Sequence, residues 1–269
     1  MKTYVITGAT SGIGEALTKY FAKDNTVFCA YRDETKTEKL KSISENIIPF
    51  YVDYAKPETV EGAVNFIKSK SDKIDTLINV AGCVVAGAVE NIPLSEIRRQ
   101  FDVNTFGALE LSQGLISQLE NGKIINISSM ASFGIFPFVS PYCASKRALD
   151  ILFNAFMLEN KRNIKVISIK PGVIATPLWS KSVKENSETI NNSVDYKNES
   201  EYLKNNALDN EKHGLSVNKV VKTAVKADKL KNPKPSYCVG IDSIGASFVS
   251  VLPQSVQNKI INFKLKKLR

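Results

Sequence analysis

Histidine is nearly missing from this sequence: His213 is the only one among 269 residues, and it lies in a polar stretch. Cysteine is sparse as well. Cys29, Cys83, Cys143 and Cys238 show neither a C-x-x-C pair nor metal-ligand spacing. That argues against a zinc site, a disulfide framework and a cysteine–histidine nucleophile, so no metal is expected. The four cysteines read as reduced, mostly buried small hydrophobes of a cytoplasmic protein. Long apolar runs are missing too, none approaching the ~20 residues that span a bilayer. Met1 leads straight into a strand-like Thr3–Thr7, without the charged-then-apolar pattern of a secretory leader.

Acid is the last absence. From Ser243 to Arg269 there is none, and Lys259, Lys264, Lys266, Lys267 and Arg269 carry five of the nine net positive charges. The rest of the chain is only mildly basic and lacks a helix-turn-helix or zinc signature, which argues against nucleic acid as a partner. A helix starting at Pro253 and running through Val256, Ile260, Phe263 and Leu268 would mix apolar and basic residues. Either it packs on the body with its lysines in solvent, or this basic tail (243–269) makes weak peripheral contact with an anionic membrane surface.

What is present is organised. Hydrophobic residues make up 43%, enough for one substantial core, and residues 1–269 are expected to form a single domain. Strand-like runs (Thr3–Thr7, Thr26–Tyr31, Ile47–Val52, Asp75–Asn79, Lys123–Ser128, Lys165–Lys170, Ser236–Val239) alternate with helical spacing. This predicts an α/β fold, a doubly wound parallel sheet of about seven strands with helices on both faces. Ligands of such sheets bind outside the carboxyl ends of the strands. Gly8, Arg32, Asp53, Asn79, Ser129 and Thr176 all fall there. Between 180 and 214 apolar residues thin out, and a long loop is expected, with 177–214 acting as a substrate lid.

The turn Gly8-Ala9-Thr10-Ser11-Gly12-Ile13-Gly14 sits between a strand and a helix, where backbone N–H groups can approach a pyrophosphate. Arg32, first after the second strand, suits a 2′-phosphate, and Ser11 can add a hydroxyl to it. Asp33 opposes that choice, since a carboxylate at the ribose favours NAD. Asp53 is placed to accept from an adenine amino group. Tyr142 and Lys146 stand four apart at the start of a helix, hence on one face. An ammonium beside a phenol favours the phenolate, predicting a Tyr142 pKa drawn down from about 10 toward working pH.

These residues resemble the short-chain dehydrogenase/reductase family in its single-domain, Rossmann-like branch, along nearly the whole chain and most weakly over 180–214. Thr7–Gly14 resembles its glycine motif, and Asn79-Val80-Ala81-Gly82 its N-N-A-G segment with Val80 as a departure. Asn104, Ser129, Tyr142 and Lys146 fall at its catalytic tetrad, with Tyr142 thirteen positions after Ser129. Pro171, Gly172, Val173 and Thr176 look like the segment that receives the nicotinamide carboxamide. The resemblance implies an NADP(H)-dependent oxidoreductase acting on a carbonyl/alcohol pair. Tyr142 would be the acid or base, Lys146 would lower its pKa and bind the ribose, Ser129 would hold the substrate oxygen, and Asn104 would support a proton-relay water. It also implies a homodimer or homotetramer. Phe133, Ile135, Phe136, Phe138 and Val139, with Leu178 and Trp179, favour a lipophilic substrate. The competing reading is a dinucleotide-binding sensor that keeps the fold without turnover.

Overall fold

The computed structural model describes residues 1–191 and 194–266. Its one sheet comprises β1 (Thr3–Ile6), β2 (Thr26–Tyr31), β3 (Ile47–Tyr51), β4 (Thr76–Asn79), β5 (Lys123–Ile127), β6 (Lys165–Pro171) and β7 (Ser236–Val239). All are parallel, in the order β3-β2-β1-β4-β5-β6-β7. The winding direction reverses between β1 and β4. Their carboxyl ends diverge there and leave a crevice, the usual ligand position in open α/β sheets.

Both faces of the sheet are apolar because side chains alternate across it. Val5, Phe28, Leu77, Ile124 and Val166 point into one core, while Ile6, Cys29, Ile78, Ile125 and Ile167 point into the other. The helices are α1 (Gly12–Phe21), α2 (Thr37–Lys41), α3 (Glu58–Lys70), α4 (Leu94–Phe101), α5 (Gly107–Gly114) and α6 (Ser140–Glu159). They continue with α7 (Leu178–Glu185), α8 (Ser187–Asn191), α9 (Lys197–His213), α10 (Val217–Lys229), α11 (Ile241–Val249) and α12 (Gln254–Leu265). Helices α3, α5 and α6 cover the first core, and α1 and α10 the second. The departure at Val80 costs the core little, since its side chain packs against the second cluster.

Two elements differ from expectation. A plain helix from Ile97 to Leu119 is expected, but α4 and α5 are joined by a π turn, Asp102–Phe106. The wider turn carries Asn104 inward, to 1% exposure. The expected loop over 180–214 is instead mostly helical. Its Glu, Lys, Ala and Leu are good helix formers even where apolar spacing is thin. Side-chain bonds hold it, one local and two long-range. Trp179 Nε1 donates to Ile174 O (2.8 Å) and Asn186 Nδ2 to Val84 O (2.8 Å), while Ala86 N donates back to Asn186 Oδ1 (3.0 Å). Asn192 and Ser193 within that segment, and Lys267, Leu268 and Arg269 of the basic tail, lie outside the described residues.

Candidate active site

The turn after β1 requires its glycines. Gly8 (φ 63°) and Gly12 (φ 52°) occupy the left-handed region. A Cβ on Gly8 would lie 2.9 Å from Ala81 N, and one on Gly14 would strike the Gly8 carbonyl. A Cβ on Gly12 would meet the Thr176 methyl at 3.3 Å. One tight turn therefore touches the strand-end segments after both β4 and β6. Thr7 ties it down, its Oγ1 accepting from Val80 N (3.0 Å) and Ala81 N (3.2 Å). Ser11, at the N-cap of α1, makes no side-chain cap bond. The first-turn N–H groups, contributed in part by Ile13, are thus left for a ligand, as is the Ser11 hydroxyl. Thr10 lies in the same turn. This cradle fits a dinucleotide pyrophosphate.

Beyond β2, Asp33 is already engaged. Its Oδ1 accepts from Thr35 N (3.1 Å) and Thr35 Oγ1 (2.7 Å), capping a single helical turn. These bonds hold its carboxyl below the usual range. Arg32 is exposed and makes no hydrogen bond or ion pair among the described residues. Asp53 Oδ1 accepts from Ala55 N (3.1 Å), leaving its second oxygen. Asn79 is 4% exposed, and its Nδ2 donates across the sheet to Asn126 Oδ1 (2.9 Å).

The sheet and α6 bring Ser129, Tyr142 and Lys146 together. Ser129 follows β5 and caps the short turn Met130–Phe133 through a bond from Ala131 N (3.1 Å). Its hydroxyl also acts on Tyr142, pulling the phenol's pKa down. Lys146 Nζ lies 5.9 Å from the centre of the Tyr142 ring and donates to Ile127 O (3.0 Å). Asn104 completes the group, with Oδ1 accepting from Cys83 N (2.8 Å) and Nδ2 donating to Cys83 O and Ser145 Oγ (3.0 Å each). Gly82 borders both: a Cβ there would sit 3.3 Å from Asn104 Oδ1 and 3.6 Å from Lys146 Nζ.

The electrostatics reverse one expectation. Burial pushes the Tyr142 phenol up to about 12, against the pull of Ser129. Burial also drives Lys146 down to about 8, with Asp150 opposing. Desolvation dominates both groups, because a phenolate or an ammonium that loses water loses part of its charged population. Adding a charged ligand beside Lys146 changes that balance.

Pro171 ends β6, and Val173 N donates to Asp242 Oδ2 (2.6 Å) from α11. A Cβ on Gly172 would run into the same carboxylate. The aromatic stretch divides: Phe133 lies against Lys170 Nζ (4.3 Å to the ring centre), Phe138 packs on Tyr196 (5.8 Å), and Ile135 is half exposed. Lys170 also pairs with buried Asp150 at 2.8 Å. Asp150, Lys170, Asp242 and Asn126 escaped the sequence reading. Of these only Asn126 carried a signal, as a polar residue inside the apolar run of β5. Cys143 is buried, its thiol pushed up by burial, and His213 lies on α9, so no thiol–imidazole pair forms. No metal-binding cluster occurs among the described residues.

Comparisons agree with this architecture. The short chain dehydrogenase family profile matches residues 2–187. An NADPH-dependent 3-dehydrocapnine reductase of Ornithobacterium rhinotracheale is 29% identical, over 100% of this chain and 99% of its own. A probable short-chain type dehydrogenase/reductase of Helicobacter pylori is 35% identical, over 68% of this chain and 69% of its own. The crystal structure of a short-chain dehydrogenase from Streptomyces avermitilis superposes with a TM-score of 0.77 at 21% identity, covering 99% and 97% of the two chains. The chain belongs to the short-chain dehydrogenase/reductase family of oxidoreductases.

Proposed function

We propose that this chain is an NADP(H)-dependent reductase that interconverts a lipophilic ketone or aldehyde and its alcohol. The observation that carries the reading is the meeting of Ser129, Tyr142 and Lys146 beside the glycine turn. When bound, the nicotinamide supplies or takes the hydride. Tyr142 holds the proton on its phenol oxygen and donates it to the carbonyl oxygen in reduction, accepting it back in the reverse direction. The Ser129 hydroxyl accepts from Ala131 N and points its own proton toward the Tyr142 oxygen, where the substrate oxygen would share it. Lys146 holds the ribose and supports the phenolate. Asn104 Oδ1, bordering the same space as Lys146 Nζ, steadies a water that returns the proton toward solvent. Pro171, Gly172, Val173 and Thr176 orient the nicotinamide, and the first-turn N–H groups of α1 take the pyrophosphate.

For the phosphorylated cofactor, the support is an unengaged Arg32 beside an engaged Asp33, together with the NADPH dependence named for the Ornithobacterium relative. The lipophilic substrate rests on Ile135, Phe136 and Val139 near Ser129. A panel of ketones and aldehydes with NADPH oxidation followed optically tests the reading, run on wild type and Tyr142→Phe. Turnover of at least one lipophilic carbonyl, lost in the variant, is expected; no turnover of any compound with either cofactor favours the sensor.

A further inference from the structure

Helix α11 buries Ser243, whose hydroxyl donates to Lys170 O (2.7 Å), and turns its opposite face outward. On that face Ile241 is 89% exposed, Phe248 70% and Ile244 46%. Nothing lies within 4 Å of where a Cβ would stand on Gly245, between them. Residues i, i+3 and i+7 share one helical side, so three large apolar groups form a stripe without charge. The helix's one acid, Asp242, is turned back onto Val173 N. Val251 follows at 80% exposure, and α12 continues with exposed Val256 and Ile260. Lys259 and Lys264 stand three and four residues from these two, flanking them.

We propose that α11 and α12 together form a docking face for an anionic lipid surface. Charge decides the occupant. An isologous contact between two copies would set these lysines against their own kind, with no acid from 243 to 269 to pair them. Lipid phosphates supply the missing negative charge, and the acyl boundary takes the apolar stripe, with lysine stems reaching past it to the headgroups. Among the described residues no helix is long and apolar enough to cross a membrane; this is attachment from one side. The face adjoins the candidate active site, since Ser243 and Asp242 hold the backbone at Lys170 and Val173. A lipophilic carbonyl would then enter from the bilayer, a corollary that rests on the proposed function, whereas docking does not.

Co-sedimentation of the full chain with two kinds of vesicle is the test: phosphatidylcholine alone, and equal parts phosphatidylcholine and phosphatidylglycerol. The chain is expected to pellet with the anionic vesicles at low salt, and roughly tenfold less with neutral vesicles or at high salt. Ile241→Asp/Phe248→Asp and Lys259→Glu/Lys264→Glu should each lose that partitioning while keeping the circular dichroism of the parent. If the apolar variant does not fold, the lysine pair carries the test alone. A parent chain that stays in the supernatant overturns docking, as does undiminished partitioning of folded variants. Sedimentation velocity covers the rival: a parent oligomer that ignores vesicles and dissociates on Ile241→Asp/Phe248→Asp makes the face a contact between copies.

Discussion

The two ends of the sheet treat buried polar groups in opposite ways. At the amino ends of β1, β4 and β5, the Asp228 carboxylate, 3% exposed, is saturated. It accepts from Tyr4 OH (2.9 Å), Thr76 Oγ1 (2.6 Å) and Lys2 Nζ (3.2 Å), while Lys123 Nζ bonds the Asp228 carbonyl. At the carboxyl ends the pairing is left open. Among the described residues Lys146 makes one hydrogen bond, and Asn79 Oδ1, Asn126 Nδ2 and Ser128 Oγ have no partner. Buried polar groups are normally satisfied. A set of under-satisfied ones where strands diverge marks the end of the sheet shaped for a ligand, and the saturated end is the one that holds the fold.

The largest effect expected of breaking this contrast is Tyr142→Phe. The ring stays and only the proton donor goes, so kcat should fall by ~10²–10⁴-fold with thermal unfolding unchanged. If more than half of kcat survives on the best substrate, Tyr142 is not the acid. Asp228→Ala is the mirror experiment. It strands Tyr4 OH and Thr76 Oγ1 without an acceptor and leaves Lys2 unpaired, which should cost about 3–5 kcal/mol in urea unfolding. The kcat of the remaining folded protein should match wild type; a kcat loss without a stability loss would mean that the two ends are coupled.

Lys146→Met sharpens the comparison from the functional side. A lysine driven from 10.5 to about 8 by burial sets a burden on the empty protein of about 3 kcal/mol at neutral pH. Below about pH 8 the folded state carries that full cost. Between about 8 and 10.5 it has released a proton that the unfolded chain still holds, so wild-type stability should rise with pH across this window. Methionine should remove the burden and the pH rise together, raising stability at pH 7 while abolishing turnover. A destabilised Lys146→Met with the pH rise intact would show that Lys146 is structural.

Much of this was legible because it is local in sequence. The glycine turn, Tyr142 with Lys146, and the strand-end placement of Ser129 and Arg32 depend on short spacings. The Asn79–Asn126 pair depends on β4 and β5 being neighbours in register, and Asp150 with Lys170 on how α6 lies against β6, neither of which a linear pattern carries. The helices over 180–214 were hidden because their anchors, Asn186 to Val84 and Ala86 to Asn186, are tertiary. The pKa of Tyr142 turns on burial, which spacing along the chain does not carry.

Arg32 gives the smallest effect and tests the open end most directly. Its guanidinium stands at the carboxyl end of β2 without an ion pair among the described residues, whereas Asp33, which would favour a free ribose hydroxyl, is turned onto Thr35 through Oδ1 at 2.7 and 3.1 Å. A planar fork left free in this way can stack on adenine and bind a 2′-phosphate through two N–H groups. The expected result is a kcat/KM for NADPH at least tenfold above that for NADH, a difference of about 1.4 kcal/mol. Arg32→Ala should erase it mainly by raising the NADPH KM, since binding is lost equally in ground and transition states. Because Arg32 is exposed, the preference should also shrink as salt is raised. Asp33→Ala removes only a turn cap and should leave the ratio where it was. Equal use of both cofactors by the wild type would mean that Arg32 is a surface residue and that the open end of the sheet does not choose its nucleotide through charge.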